Sequence, residues 1–262
     1  MAITRLFREI TFAQEKEEST KLLTASRYNT LHTIKKCLRN GADINFTINA
    51  ELFFNNLIIN SFDYKKSGLT NALIIALRYG CYDSAKLLIR KGTTLSFKRS
   101  EGYEYGAVKQ KAIDFLITPT PHTHDGRRIH RPEFSKFTPK QQTTLMGLMI
   151  KHCADVTQLC SDQTMDNCIH FGADYLLPMF YKIGFPFHDH HFVDAANPFY
   201  KPTHALPMLK ALRPYFRDVN ITNGAYNAGH VTQATHDKDS YAWLKDQGLD
   251  ISAPHRFPPN IF

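Results

Sequence analysis

Two groups of closely spaced histidines are the residues of this chain whose spacing could bind a metal ion. They lie within residues 122–130 and 188–191. A zinc site needs three or four ligands held in a tetrahedron, usually as two short-spaced pairs on rigid elements. Neither group has a neighbouring cysteine pair or an H-E-x-x-H motif. We therefore predict that these are exposed loop histidines, that the chain has no metal site, and that its fold needs no metal.

Catalytic motifs are also missing. The five cysteines have neither zinc-knuckle spacing nor the local signature of a cysteine protease, and the glycines form no phosphate-binding loop. The sequence therefore predicts no catalytic residue, no cofactor and no enzyme activity. The alternative is an enzyme or nucleotide-binding protein whose site lies in the divergent C-terminal half, where aspartates and histidines concentrate.

The positive charge is concentrated in the first part of the chain. Residues 1–150 contain 23 Lys and Arg against 13 Asp and Glu, a surplus of +10, whereas the whole chain carries +8. Such a surplus either solubilises the protein or forms a basic face for an acidic protein, phospholipid headgroups or nucleic acid. Nucleic acid is the weakest of these, because no zinc finger, RNA-binding sheet signature or regular basic-aromatic helix occurs. We predict a protein partner with an acidic surface.

One basic segment is a candidate binding loop. Residues 118–132 contain three prolines and a glycine, which exclude a continuous helix, so a long loop is expected. Arg127, Arg128 and Arg131 lie near its end, and guanidinium groups bind carboxylates or phosphates through two parallel hydrogen bonds. We predict that these arginines contact the acidic partner. The alternatives are a loop without a partner and a second basic set elsewhere, Lys65, Lys66, Lys98 and Arg99.

The elements that position these residues follow from a repeated pattern. Residues 76–91 have the apolar spacing of two short amphipathic helices around a turn at Gly80, and a glycine, Gly92, follows the second helix. Residues 25–45 show the same pattern, ending in Asn-Gly-Ala-Asp-Ile-Asn. Helices this short cannot bury their apolar faces alone, so neighbouring units must stack to form the core.

The unit resembles the ankyrin repeat, which has a T-P-L-H opening, an alanine in the inner helix, paired leucines in the outer helix and a closing G-A-D-V-N. Residues 40–45 match the closing segment, and residues 71–76 resemble a worn opening. The closing positions fall at 41, 92, 153, 184, 216 and 248, with spacings of 51, 61, 31, 32 and 32 against a family period of about 33. Cys153 and Phe216 replace the closing glycine, so those turns must be distorted or differently capped.

The resemblance implies an all-α fold, an ankyrin-type helical repeat solenoid of about six irregular units with short hairpin loops. It predicts one array over residues 1–252, insertions at about 46–67 and 117–140, and a tail at 253–262. The implied function is non-catalytic protein–protein interaction, through a concave surface built from hairpin tips and inner helices. The first insertion is rich in apolar residues, so we expect it to cover the core or to bind a partner.

Location is predicted from what the sequence lacks. No apolar run approaches 18 residues, and residues 1–12 have no signal-peptide core, so we expect no membrane span and no leader. An odd number of cysteines favours a reducing, cytoplasmic compartment. Worn repeats with large insertions suit a bacterial effector or a viral or phage factor acting on a foreign partner, which would place it in the host cytoplasm.

Overall fold

The structure is a computed structural model that describes residues 2–49, 69–97, 110–117, 122–124, 127–129, 137–153, 159–160, 162–197, 205–224 and 226–250. Two compact units are present, Met1–Leu159 and Cys160–Phe262. A single array over residues 1–252 stays a prediction. Most of the first predicted insertion and the tail at 253–262 lie outside the described residues.

Among its described residues, the first unit contains three helix pairs. They are α1 (Ala2–Arg27) with α2 (Leu31–Arg39), α3 (Ala72–Arg78) with α4 (Tyr82–Arg90), and α5 (Ala112–Ile117) with α6 (Pro139–His152). Short antiparallel ribbons connect or follow them: β1 (Ile48–Asn49) with β2 (Leu69–Thr70), β3 (Ser96–Phe97) with β4 (Gln110–Lys111), and β5 (His122–His124) with β6 (Arg127–Ile129).

The second unit has the same kind of elements. Its helices are α7 (Asp162–His170), α8 (Leu177–Lys182), α9 (Asp189–Ala195), α10 (Ala205–Leu212), α11 (Ala228–Ala234) and α12 (Lys238–Asp246). One ribbon pairs β7 (Thr222–Asn223) with β8 (Tyr226–Asn227). Every strand in the described ranges is two or three residues long, so the fold is all-α, as predicted. Across those ranges, no helix is both long and apolar enough to cross a membrane.

Helix α3 forms the centre of the core in the first unit. Its residues from Ala72 to Leu77 are all buried, because α1, α4 and α5 pack against it. Burying a leucine or isoleucine side chain stabilises a fold by about 1.5–3 kcal/mol. Asn71 caps this helix by accepting a hydrogen bond from the backbone N–H of Ile74 at 2.9 Å. A seven-residue helix of low independent stability is thus held by its neighbours.

The predicted closing glycines and the turn at Gly80 occur where expected, and His236 forms a further turn that was not predicted. Four pairs of residues separated by 12 positions adopt positive φ: Asn29 and Gly41, Gly80 and Gly92, Gly172 and Gly184, and His236 and Gly248. The first of each pair lies between two helices and the second follows the outer helix. At Gly92 the backbone N–H donates to the Ile89 carbonyl, and the Thr93 N–H donates to the Leu88 carbonyl. These bonds satisfy the last carbonyls of the helix, which is why a left-handed residue is needed there.

The repeat register is confirmed by burial as well. The residue four positions before each predicted closing position is at most 2% exposed in all six units: Cys37, Leu88, Met149, Phe180, Leu212 and Leu244. In the last five units the preceding residue, which holds the first of the paired-leucine places, is half-buried. The same face of the outer helix therefore packs inward throughout, including in the units whose closing glycine has been lost.

The two turns without glycine are capped differently, as predicted. Cys153 follows α6 with φ −97° and ψ 120°, and Phe216 ends a 3-10 turn at Arg213–Tyr215 with φ −120° and ψ 134°. Both residues are extended, a conformation that any L-amino acid adopts without strain. The Arg213 guanidinium also donates to the Phe216 carbonyl. These chain exits therefore do not need the left-handed conformation that glycine supplies elsewhere.

In the fifth unit, two segments differ in length although the spacing between closing positions is a normal 32 residues. Only four positions separate Gly184 from His188, which caps α9, whereas eleven separate Phe216 from Asn227, which caps α11. The chain between α9 and α10 is longer by a similar amount, since residues 196–204 separate those helices. The connection before α9 is short, and the segment between α9 and α10 is long by a similar number of residues. Because these two differences in length cancel, the 32-residue spacing did not reveal either of them.

Candidate functional site

The predicted binding residues are only partly within the described chain. Arg127 and Arg128 lie on β6, where they face His124 and Thr123 of β5 in the antiparallel register. The segment predicted to be a non-helical loop therefore contains a short hairpin. Outside the described residues lie Arg131, Lys65, Lys66, Lys98 and Arg99. The proposed roles of all seven remain predictions.

A basic cleft that sequence reasoning did not find lies between α2 and α4, the second helices of the first two repeats. Its volume is about 600 Å³. Lys35, Arg39 and Lys91 provide three exposed cations at its edge, and His32 lies beside them. Half-buried apolar side chains line it as well, Leu38, Ile44 and Leu87 among them. We call these residues the α2–α4 cleft.

The cleft has an uncompensated positive charge. No carboxylate lines it, and none of its three cations has an ion-pair partner within the described part of the chain. Lys35 and Arg39 are four positions apart, so they lie on one face of α2. Because Ile34 and Cys37 of the same helix are buried in the core, the face that contains Lys35 and Arg39 is exposed to solvent. Because α2 and α4 pack against each other, Lys91 at the end of α4 joins the same surface.

Two histidines of the second unit accept hydrogen bonds from the residues that cap their helices, one at the start of α9 and the other at the start of α11. The backbone N–H of His188 donates to Nδ1 of His191 at 2.9 Å, and the backbone N–H of Asn227 donates to Nδ1 of His230 at 3.0 Å. Each pair joins the capping residue of a helix to its third residue. His191 and His230 thus occupy the place of the histidine in the T-P-L-H opening. The prediction of exposed loop histidines is wrong for His191, which is fully buried on α9.

His191 also lies close to a histidine and an aspartate. One potential metal-binding atom from each of Asp166, His190 and His191 lies within 4.8 Å of the other two. The ring centroids of His190 and His191 are 4.0 Å apart. Burial, together with His190 and His188, lowers the pKa of His191 to about 3, so its imidazole is neutral at physiological pH. Burial also raises the pKa of the nearby Asp194.

The sequence contained a signal for each cluster. Lys35 and Arg39 lie six and two positions before the closing glycine Gly41, and this spacing places both on the outer helix of the first repeat. The interval from Asn227 to His230 equals that from His188 to His191, which marks both as helix openings. The approach of Asp166 to His190, 24 residues later, had no such signal, because it depends on how α7 packs on α9.

Comparison with known proteins shows the fold. No protein-family model matches this sequence, and no curated protein matches it. Among solved structures, the chain is similar to the ankyrin repeat domain of human ASB11, with a TM-score of 0.57 and 12% sequence identity. The match covers 88% of this chain and 85% of that one. Together with the turn positions and the buried register, it shows that the chain has an ankyrin-type helical repeat fold.

Proposed function

We propose that this chain is a non-catalytic protein-interaction module, and that its α2–α4 cleft binds an acidic segment of another protein. The observation that carries the proposal is a set of three cations, Lys35, Arg39 and Lys91, which have no ion-pair partner among the described residues and which line the cleft together with half-buried apolar side chains. The fold supports an interaction role, because stacked helical repeats present extended surfaces to partners.

The chemistry of the cleft defines its occupant. An exposed ion pair contributes only about 0.2–1 kcal/mol, whereas burying one leucine-sized side chain contributes about 1.5–3 kcal/mol. The fitting ligand is therefore a peptide segment in which two or three Asp or Glu residues flank a large apolar residue. The apolar residue would cover Leu38 and Leu87, and the carboxylates would face the cations at the edge. The +10 surplus of residues 1–150 would attract such a segment over a longer range.

The proposal includes a location and a biological role. The odd number of cysteines supports a reducing, cytoplasmic compartment. The repeats keep the buried positions of the repeat pattern but have lost much of its consensus at the surface. This pattern supports an effector that acts on a foreign partner in the host cytoplasm. Arg127, Arg128 and Arg131 belong to the proposal as additional contacts with the acidic partner.

The test is selection from a random peptide library with three proteins. These are the natural chain, the cleft variant Lys35→Glu/Arg39→Glu/Lys91→Glu, and the control variant Lys140→Glu/Lys151→Glu/Lys210→Glu. All six substituted residues are exposed, so the two variants change the net charge equally and differ only in its position. The natural chain and the control should enrich peptides with acidic residues around an apolar one, and the cleft variant should not.

Affinities of the enriched peptides, measured by calorimetry, complete the test. The cleft variant should bind at least tenfold more weakly, equivalent to about 1.4 kcal/mol, while the control stays within a factor of about two. Raising the salt concentration should weaken binding to the natural chain, since exposed charges are screened. Enrichment of neutral or basic peptides, or tighter binding to anionic vesicles or RNA than to any peptide, would overturn the proposal.

A further inference from the structure

The α2–α4 cleft offers hydrogen-bond donors and almost no acceptors. At its edge lie the ammonium groups of Lys35 and Lys91 and the guanidinium group of Arg39, which can only donate. Among the described residues that line the cleft, His32 is the one whose side chain can accept a hydrogen bond, because the others are cationic or apolar. A ligand can therefore satisfy its acceptors in this cleft but hardly any of its donors.

The backbone of the two walls adds few acceptors. Both walls are helices, so their carbonyl groups accept hydrogen bonds from within the same helix, except in the last turn. In the last turns, the carbonyls of Leu38 and Ile89 accept from the backbone N–H groups of Gly41 and Gly92. An extended peptide would direct backbone N–H groups at both walls without finding an acceptor there. Because a buried donor without a partner is costly, this conformation fits the cleft poorly.

We propose that the acidic segment of the partner binds the α2–α4 cleft as an amphipathic α-helix. A helix satisfies its backbone N–H groups by internal hydrogen bonds, so only its side chains need to match the cleft. Its carboxylates would accept from the donors at the edge, and an apolar stripe would face Leu38 and Leu87. This inference rests on the proposed function, because it specifies the form in which the same partner occupies the same site.

The spacing of the cations matches the spacing of carboxylates on a helix. Lys35 and Arg39 are four positions apart on α2, which separates them by about 6 Å along the helix axis. Carboxylates four positions apart on a ligand helix that runs alongside α2 have the same separation. Lys91 ends the other wall, so a third carboxylate on the opposite flank of the apolar stripe would face it. The fitting segment therefore has apolar residues every three or four positions and Asp or Glu on both flanks.

The experiment uses the full chain and a synthetic, carbon-13-labelled peptide of about 15 residues with leucines and glutamates in this pattern. A peptide of this length is mostly unfolded alone in water, so its Cα chemical shifts should move to helical values when it binds. A second peptide, with proline at a central position that faces solvent, should bind at least tenfold more weakly. The matched control carries the same proline at the first helical position, where proline is tolerated, and should bind within a factor of about two.

The cleft variant Lys35→Glu/Arg39→Glu/Lys91→Glu separates this inference from the proposed function, since it should lose both the affinity and the helical shifts. Three results would overturn the helical conformation and leave the proposed function standing. They are extended shifts in the bound peptide, an unchanged affinity of the peptide with the central proline, and no binding of the patterned peptide while other acidic peptides bind the cleft. Equal binding to the natural chain and the cleft variant, or no binding of any acidic peptide, would overturn both.

Discussion

The side-chain oxygen of Asn220 accepts a hydrogen bond from the backbone N–H of Asp250 at 2.7 Å, across the junction between two repeats. Asn45 makes the equivalent bond to the N–H of Thr94, also at 2.7 Å. In both cases the asparagine lies four positions after a closing position, and its donor lies two positions after the next one. The fifth repeat thus keeps the junction of the first repeat although Phe216 replaces its glycine.

This junction predicts the effect of removing one side chain. Asn220→Ala should lower the free energy of unfolding of the second unit by about 1–2 kcal/mol, because a net hydrogen bond contributes about 1 kcal/mol and Asn220 also donates to the Gly248 carbonyl. The only tryptophan, Trp243, lies on α12 and reports urea unfolding of this unit by fluorescence. Arg217→Ala, an exposed neighbour, is the control and should leave the midpoint unchanged. Equal midpoints for the two variants would contradict the role of the junction.

A second prediction concerns the left-handed turn at Gly92. Gly92→Val should destabilise the first unit by at least about 1–2 kcal/mol, measured by the urea dependence of helical circular dichroism. A Cβ atom added at Gly92 would meet no atom within 4 Å, so we expect the loss to come from the backbone conformation at φ +82°. An unchanged stability would mean that this turn readily adopts another conformation.

The opposite change is expected at His236, where a non-glycine residue has φ +59°. His236→Gly should stabilise the second unit by about 1 kcal/mol, because glycine adopts the left-handed conformation without steric cost. Ala242→Gly, at an exposed position inside α12, is the matched control and should destabilise by about 1 kcal/mol. Trp243 fluorescence measures both variants. Destabilisation by His236→Gly would show that its side chain makes a contact that outweighs the backbone strain.

Much of the fold could be predicted from the sequence because the repeat depends on local chemistry. Each repeat that closes with a glycine has a residue that must adopt positive φ and a buried residue four positions before it. This spacing is visible in the sequence, and it located Gly92 and Leu88 correctly. The pattern also extends to His236, which lies 12 positions before Gly248 and could have been identified from that spacing alone.

The candidate sites could not be predicted as well, because they depend on contacts between elements far apart in the chain. Lys91 meets Lys35 and Arg39 only after α2 and α4 have packed together. Likewise, Asp166 lies close to His190 although the two residues belong to different helices, so no short spacing in the sequence indicates their proximity. A histidine such as His191 looks like a loop residue in the sequence until its place in the helix opening is recognised.

A further prediction concerns the arginines of the 117–140 insertion. Replacing Arg127, Arg128 and Arg131 by glutamate should leave the melting temperature almost unchanged, because a ribbon outside the helical core contributes little to stability. Affinity for the selected acidic peptides should fall more than tenfold, about 1.4 kcal/mol, with a shallower salt dependence. Unchanged affinity would exclude these arginines and leave the cleft as the binding surface. Lys65, Lys66, Lys98 and Arg99 would then be tested in the same way.

Hydrogen exchange of the full chain, with and without a saturating acidic peptide, tests the central claim most directly. Slower exchange is predicted in residues 31–44 and 82–92, which contain the residues of the α2–α4 cleft, and unchanged exchange in residues 205–250. The cleft variant Lys35→Glu/Arg39→Glu/Lys91→Glu should lose this protection at the same peptide concentration. Protection confined to the second unit, or equal protection in the cleft variant, would contradict the claim that this cleft is the site at which the protein binds its partner.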